Sequence, residues 1–119
     1  MEYQLDALRK YQDPDTGLWH TLVDDPTSYV EGSATAGFTY GILKAVDDRM
    51  IDSKYMDMAE KGVKALLDNI DDEGGLAHVS AGTPMGEDKD FYKGIKISIM
   101  PYGQSMAVLA LTEYLKKFY

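Results

Sequence analysis

The sequence has 119 residues, 45% of them apolar and 27% charged, a balance that folds as one ordinary domain and is too apolar for a disordered chain. Twelve Lys and Arg against twenty Asp and Glu leave a net charge of −8, with no basic cluster longer than Lys116-Lys117, which disfavours nucleic acid and anionic membranes as partners. With no cysteine, disulfides, thiolate metal sites and a cysteine nucleophile are excluded.

Met1 to Asp6 has neither the basic nor the apolar stretch of a signal peptide. The longest apolar run, Met106 to Leu111, is far short of the roughly 20 residues that cross a bilayer. The expectation is a cytoplasmic chain that does not enter a membrane.

Leu5, Leu8 and Tyr11 recur every three residues and predict the end of an amphipathic helix. Asp13-Pro14-Asp15-Thr16-Gly17-Leu18-Trp19-His20 then reads as a turn followed by an extended stretch over Leu18 to Val23. From about Gly32 to Val46 the apolar stripe is wide and includes Gly37 and Gly41, which predicts a helix packed closely on more than one side. From about Lys54 to Ile70, Ala59, Val63, Leu66, Leu67 and Ile70 follow a one-sided helical template.

The turn then returns. Asp71-Asp72-Glu73-Gly74-Gly75-Leu76-Ala77-His78 repeats the first at a constant offset, Asp13 matching Asp71 and His20 matching His78. An extended stretch over Leu76 to Ser80 follows it. The loop from about Gly82 to Met100 is long enough to be functional, and a last helix, about Tyr102 to Lys117, is apolar nearly all round, as a buried element would be. The unit is therefore a surface helix, a turn, a short strand, a loop and a buried helix, present twice. Repeat stacks need about three units to cover their faces, so two units point to a partial domain over residues 1–119 or to self-association through open helical faces.

The two histidines invite a metal reading with Asp15, Asp24, Asp25 or Glu31, but neither stands four residues from another ligand on a helix, and we expect no metal. His20 either fixes its turn by bonding to the backbone or lines a pocket. Ser33 with His20 and Asp24 has the residue types of a triad but no Gly-x-Ser-x-Gly elbow. Ser28 to Glu31 has capping-box spacing, in which Glu31 reaches back to the backbone; alternatively Glu31 points at a ligand from a helix N-terminus. Gly82 to Gly86 lacks the ending of a phosphate loop. Trp19, Tyr29, Phe91, Tyr92 and Tyr102 cluster in the turn, strand and loop segments, where they either plug the hairpin ends or offer the faces on which a sugar stacks.

Tyr11 to His20, Ser28 to Phe38, Tyr40 to Ala45, Gly75-Leu76, Ser80 to Thr83 and Tyr102 to Leu111 together resemble the C-terminal part of the unsaturated glucuronyl and rhamnogalacturonyl hydrolases, glycoside hydrolase families 88 and 105. The resemblance implies an all-α fold whose αα-hairpins form about a third of an (α/α)6 toroid, with short extended segments at the hairpin ends. Six such units take roughly 350 residues. It implies removal of a 4,5-unsaturated uronic acid from oligosaccharides left by polysaccharide lyases, an aspartate protonating the vinyl ether while water adds at C5. No cofactor is implied. That aspartate belongs to earlier hairpins in the family, and none of Asp13, Asp15, Asp24 or Asp25 matches it, so no catalytic residue is expected here. Trp19, His20, Tyr29, Glu31, Ser33 and Tyr92 are the candidates for the pocket wall. The family's Gly-Thr-Gly loop stands here as Gly82-Thr83-Pro84.

Overall fold

A computed structural model describes all 119 residues. Helix α1 spans Glu2–Tyr11, and strands β1 (Trp19–His20) and β2 (Val30–Glu31) pair antiparallel before helix α2, Gly32–Asp47. A 3-10 turn over Ser53–Tyr55 leads into α3, Met56–Asp68, after which β3 (Val79–Ser80) pairs with β4 (Ile97–Ser98) and α5 spans Pro101–Leu115. The long loop between β3 and β4 carries α4, Lys89–Lys93, a short helix the sequence pattern did not predict. Each unit thus runs outer helix, turn, two-residue hairpin, inner helix.

Helix α2 lies between α3 and α5, which is why its apolar stripe is wide. Toward α1 and α3 it contributes Ile42 and Leu43 to a core with Leu5, Trp19, Tyr55 and Val63. Toward α5 it contributes Ala36 to a second core with Leu66, Leu76, Val79, Ala107 and Ala110. Small residues let the helices close up: a Cβ on Gly62 of α3 would collide with Thr39 Oγ1 on α2.

Both turns are built on an aspartate, but they differ in detail. Asp13 Oδ2 accepts from Thr16 N–H at 2.8 Å and Thr16 Oγ1–H at 2.7 Å. Asp71 Oδ1 accepts from Glu73 N–H at 3.0 Å and Gly75 N–H at 2.7 Å. The glycine in the left-handed region is Gly17 in the first (φ 77°) and Gly74, one position earlier in the repeat, in the second (φ 86°). Leu18 and Leu76 plug the core below both turns. The histidines lose equivalence through the shift. His20 sits in β1, whereas His78 takes φ 63° and offers its carbonyl to Gly32 N–H at 2.7 Å.

Helix α5 departs from its predicted burial. Ala107, Ala110 and Glu113 face α2 and Gly103 packs on Val79 of β3, but Val108 is 62% and Leu109 47% exposed on the other side, because no element of the chain packs there.

Candidate functional site

At the end of the helices where both hairpins emerge, the two units enclose an open cleft of about 670 Å³. Thr21, following β1, and Glu31 and Ser33, at the start of α2, come from the first unit; Ser80, ending β3, and Gly82 and Thr83 beyond it come from the second. Tyr102 and Met106, one helical turn apart on α5, supply apolar surface, with Ala34 opposite.

Glu31 joins the two walls. It is 3% exposed, and its carboxylate accepts from Ser80 N–H at 2.9 Å, Ala34 N–H at 2.6 Å and Ser33 Oγ–H at 2.8 and 3.0 Å. The capping-box arrangement is therefore corrected: Glu31 is itself the N-cap of α2, bonding forward to Ala34. The helix begins at Gly32 because Gly32 N–H is taken by His78 of the other unit, and Gly32 lies so close to Ala77 that a Cβ would stand 2.6 Å from its carbonyl oxygen. Ser28, assigned to the cap by its spacing, instead braces the β1–β2 loop by donating from Oγ to Asp25 O at 2.7 Å. Tyr29 Oη and Ser80 Oγ lie 2.6 Å apart, a second bond across the units just behind the cleft.

Of the six residues expected to form a pocket wall, the fold brings Glu31 and Ser33 to the cleft, sets Tyr29 behind it on Ser80, and takes the other three elsewhere. Trp19 is wholly buried, edge-on to Phe38 at 5.4 Å, with Nε1–H donating to Leu8 O at 2.8 Å. Its large apolar ring fills the first core and offers a ligand no surface. His20 is buried beside it. Nδ1–H donates to the Ser28 carbonyl at 2.6 Å and Nε2 lies 3.6 Å from Asp13 Oδ1, so both nitrogens face protein groups. Burial of Asp13 raises its pKa, but bonds from Thr16 and the neighbouring His20 outweigh that and leave it below the usual carboxylate value. Tyr92 accepts from Gly86 N–H at 3.0 Å and so folds the long loop upon itself; Phe91 packs edge-on to it at 5.3 Å, away from the cleft.

Thr21, Ser80 and Thr83 were not singled out as wall residues. Their signal lies in the repeat: Thr21 follows the short strand of the first unit, Ser80 ends that of the second, and Thr83 stands three residues beyond it. No three His, Asp or Glu side chains converge as metal ligands would. No helix is long and apolar enough to cross a membrane.

The sequence profile described as Glycosyl Hydrolase Family 88 matches residues 1–118. The chain belongs to this family. Among family 88 relatives and neighbours, the unsaturated rhamnogalacturonyl hydrolase YesR of Bacillus subtilis is 36% identical over 114 residues, covering 95% of this chain and 31% of YesR. A crystal structure described as a possible member of the GH105 family, from Salmonella enterica serovar Paratyphi A, superposes with a TM-score of 0.95 at 53% identity over 99% of this chain and 31% of that one. Another described in the same terms, from Klebsiella pneumoniae, gives 0.94 at 55% identity over 98% and 30%. The family 88 chain described here thus spans about a third of the length of the relatives it matches, and its hairpins correspond to part of their toroid.

Proposed function

We propose that the chain is the C-terminal portion of a carbohydrate-active hydrolase acting on unsaturated oligosaccharides of the kind polysaccharide lyases release, and that it is inactive alone. One observation carries this reading. The single carboxylate lining the cleft, Glu31, has its oxygens engaged by three donors from two segments of backbone and one hydroxyl, so no free acid stands ready to protonate a vinyl ether. The cleft supplies hydroxyls and an aromatic face, which suit the holding of a saccharide. The acid/base group and the remaining walls belong to the hairpins by which the relatives exceed this chain. The test is an assay on an unsaturated uronyl disaccharide, following the ultraviolet absorbance of its conjugated double bond. No turnover by the 119-residue chain is the expected result, and robust turnover overturns the reading.

A second reading is a non-catalytic module that self-associates. It is favoured by the uncovered apolar side of α5 at Val108 and Leu109. Light scattering decides it: a species heavier than the 13.3 kDa chain supports self-association, and a monomer at micromolar concentration removes it.

A further inference from the structure

Two uncovered faces of the chain are the two halves of a contact it already makes internally. One side of α2 lies in the groove between α3 and α5: Thr39 sits against Gly62 of α3, and Tyr40 packs on the second core beside Ala107 and Ala110 of α5. The repeat carries both halves of that contact to open positions. Counted from the helix starts, Gly32 in α2 and Pro101 in α5, the exposed Val108 and Leu109 stand where α2 has Thr39 and Tyr40. In the register that matches Asp13 to Asp71, α1 takes the place of α3, and Gln4 that of Gly62. The groove between α1 and α2, about 210 Å³ and lined by Gln4, Leu8, Phe38, Gly41 and Ala45 among others, is thus the counterpart of the one that receives α2, and no element of the chain fills it. Gly41 marks it as a contact surface. Glycine inside a helix costs stability relative to alanine, and at the other helical glycines a neighbour uses the space: Thr39 at Gly62, the Met106 methyl at Gly37 and Val79 at Gly103. At Gly41 nothing in the chain comes within 4 Å of where a Cβ would stand, whereas its counterpart in α5, Ala110, is wholly buried toward α2.

We propose that the Val108–Leu109 side of α5 in one copy seats in the α1–α2 groove of the next, head to tail, and that three copies close into a ring. A contact between two different faces either closes or grows into a filament. Here the step from one unit to the next is already built into the chain, and each copy spans 31% of the length of relatives whose units form a toroid, so the third copy meets the first. The side chains named on both faces are uncharged, so no ion is stripped of water when they meet, despite the net charge of −8 on each copy. The inference rests on the self-association reading above and adds which faces meet and how many copies close.

The chain has no cysteine, so introduced cysteines report the contact directly. Thr39 against Gly62 predicts Val108 of one copy against Gln4 of the next, both exposed in the single chain. Under mild oxidation a mixture of Gln4→Cys and Val108→Cys is expected to give the mixed disulfide in preference to either homodimer, and the variant carrying both substitutions a covalent three-chain species. Light scattering of the unsubstituted 119-residue chain is expected to give three times 13.3 kDa. Gly41→Leu, placed where nothing in the chain clashes, fills the groove and is expected to keep its helical circular dichroism while scattering as one chain. A preferred Val108→Cys homodimer, or a two-chain mass, overturns the head-to-tail contact and leaves self-association standing. A mass above three chains overturns the closure, and a three-chain mass retained by Gly41→Leu overturns the groove as the seat. A one-chain mass for the unsubstituted protein at micromolar concentration overturns the self-association reading and this inference with it.

Discussion

The Glu31 carboxylate accepts the Ser80 backbone N–H at 2.9 Å, a bond between residues 49 positions apart that ties the start of the first inner helix to the end of the second unit's strand. Because Ala34 N–H and Ser33 Oγ–H converge on the same carboxylate, the group serves as a node between the two units. Glu31→Gln keeps the size but puts an amide NH2 against one of the N–H donors. Loss of a charge-assisted bond with a buried donor left facing another costs about 2–3 kcal/mol. The expected outcome is a melting temperature lower by on the order of 10 °C, measured by circular dichroism. Tyr29→Phe, which removes only the bond to Ser80 Oγ, is expected to cost about 1 kcal/mol.

Thr39 sits on α2 with its Oγ1 buried against Gly62 of α3 and no hydrogen-bond partner. A buried hydroxyl without a partner opposes folding, and Thr39→Val replaces it with a methyl of nearly the same size. The variant is expected to be more stable by about 1 kcal/mol in urea unfolding. Gly62→Ala, which drives a Cβ into the same contact, is expected to be less stable; opposite signs at the two positions identify this helix crossing as the cause.

Asp25 has its pKa lowered from 3.8 to about 2, first by the hydrogen bond from the Thr27 hydroxyl at 2.6 Å, then by Thr27 N–H at 2.9 Å and by Lys93. A folded-state pKa below the unfolded one gives stability that is present above the unfolded value and disappears as pH falls through the folded value. The difference in unfolding free energy between the wild type and Asp25→Asn is therefore steady above about pH 5 and shrinks between 3.8 and about 2. Carboxyl-carbon NMR across that range checks the midpoint directly. A midpoint at 3.8 would mean that the Thr27 and Lys93 contacts do not form in solution.

The helices were legible in the sequence because α2 and α3 carry an apolar period and α5 a continuous apolar run from Met106 to Leu111, and the repeat was legible because Asp13 and Asp71, with Leu18 and Leu76, do the same work in both turns. What the pattern missed depends on contacts across the units. Glu31 has the spacing of a third helical residue, yet Gly32 N–H bonding to His78 moves the helix start past Ser28. His20 and His78 align in sequence, but the left-handed glycine shifts by one position and carries the two imidazoles to different surroundings. Trp19 has the character of a sugar-stacking ring in sequence, and only the arrangement of Leu5, Ile42 and Val63 around it reveals a core residue. The wall at Ser80 and Thr83 is marked in sequence only by its place after the second turn; that it faces Glu31 and Ser33 depends on how the second unit meets the first.

Trp19 is the only tryptophan, and its burial makes it a reporter of folding and a silent witness to ligand. Its emission is expected to be blue-shifted in the folded chain and unchanged by any saccharide that binds in the cleft. Quenching by the sugar would place the ring at the binding surface. Trp19→Phe loses the Leu8 hydrogen bond and part of the ring volume in the core, a cost of about 2–3 kcal/mol that a urea titration followed by circular dichroism measures.

The last prediction concerns the outer side of α5. Val108 and Leu109 expose apolar surface on a helix whose other side is held to α2 by Ala107 and Ala110. Substitution of a side chain that touches little of the fold changes stability by no more than about 0.5 kcal/mol, so Val108→Lys with Leu109→Glu is expected to melt within a few degrees of the wild type. The same pair of charges placed on an associating face is costly, because each must be stripped of water when the face closes. If copies of the chain meet through α5, the wild type scatters as a species above 13.3 kDa and the double variant as a monomer, with folding unaffected in both. Identical masses for the two proteins would leave α5 outside any self-association, and its uncovered side would then be a face for the further hairpins found in the longer relatives.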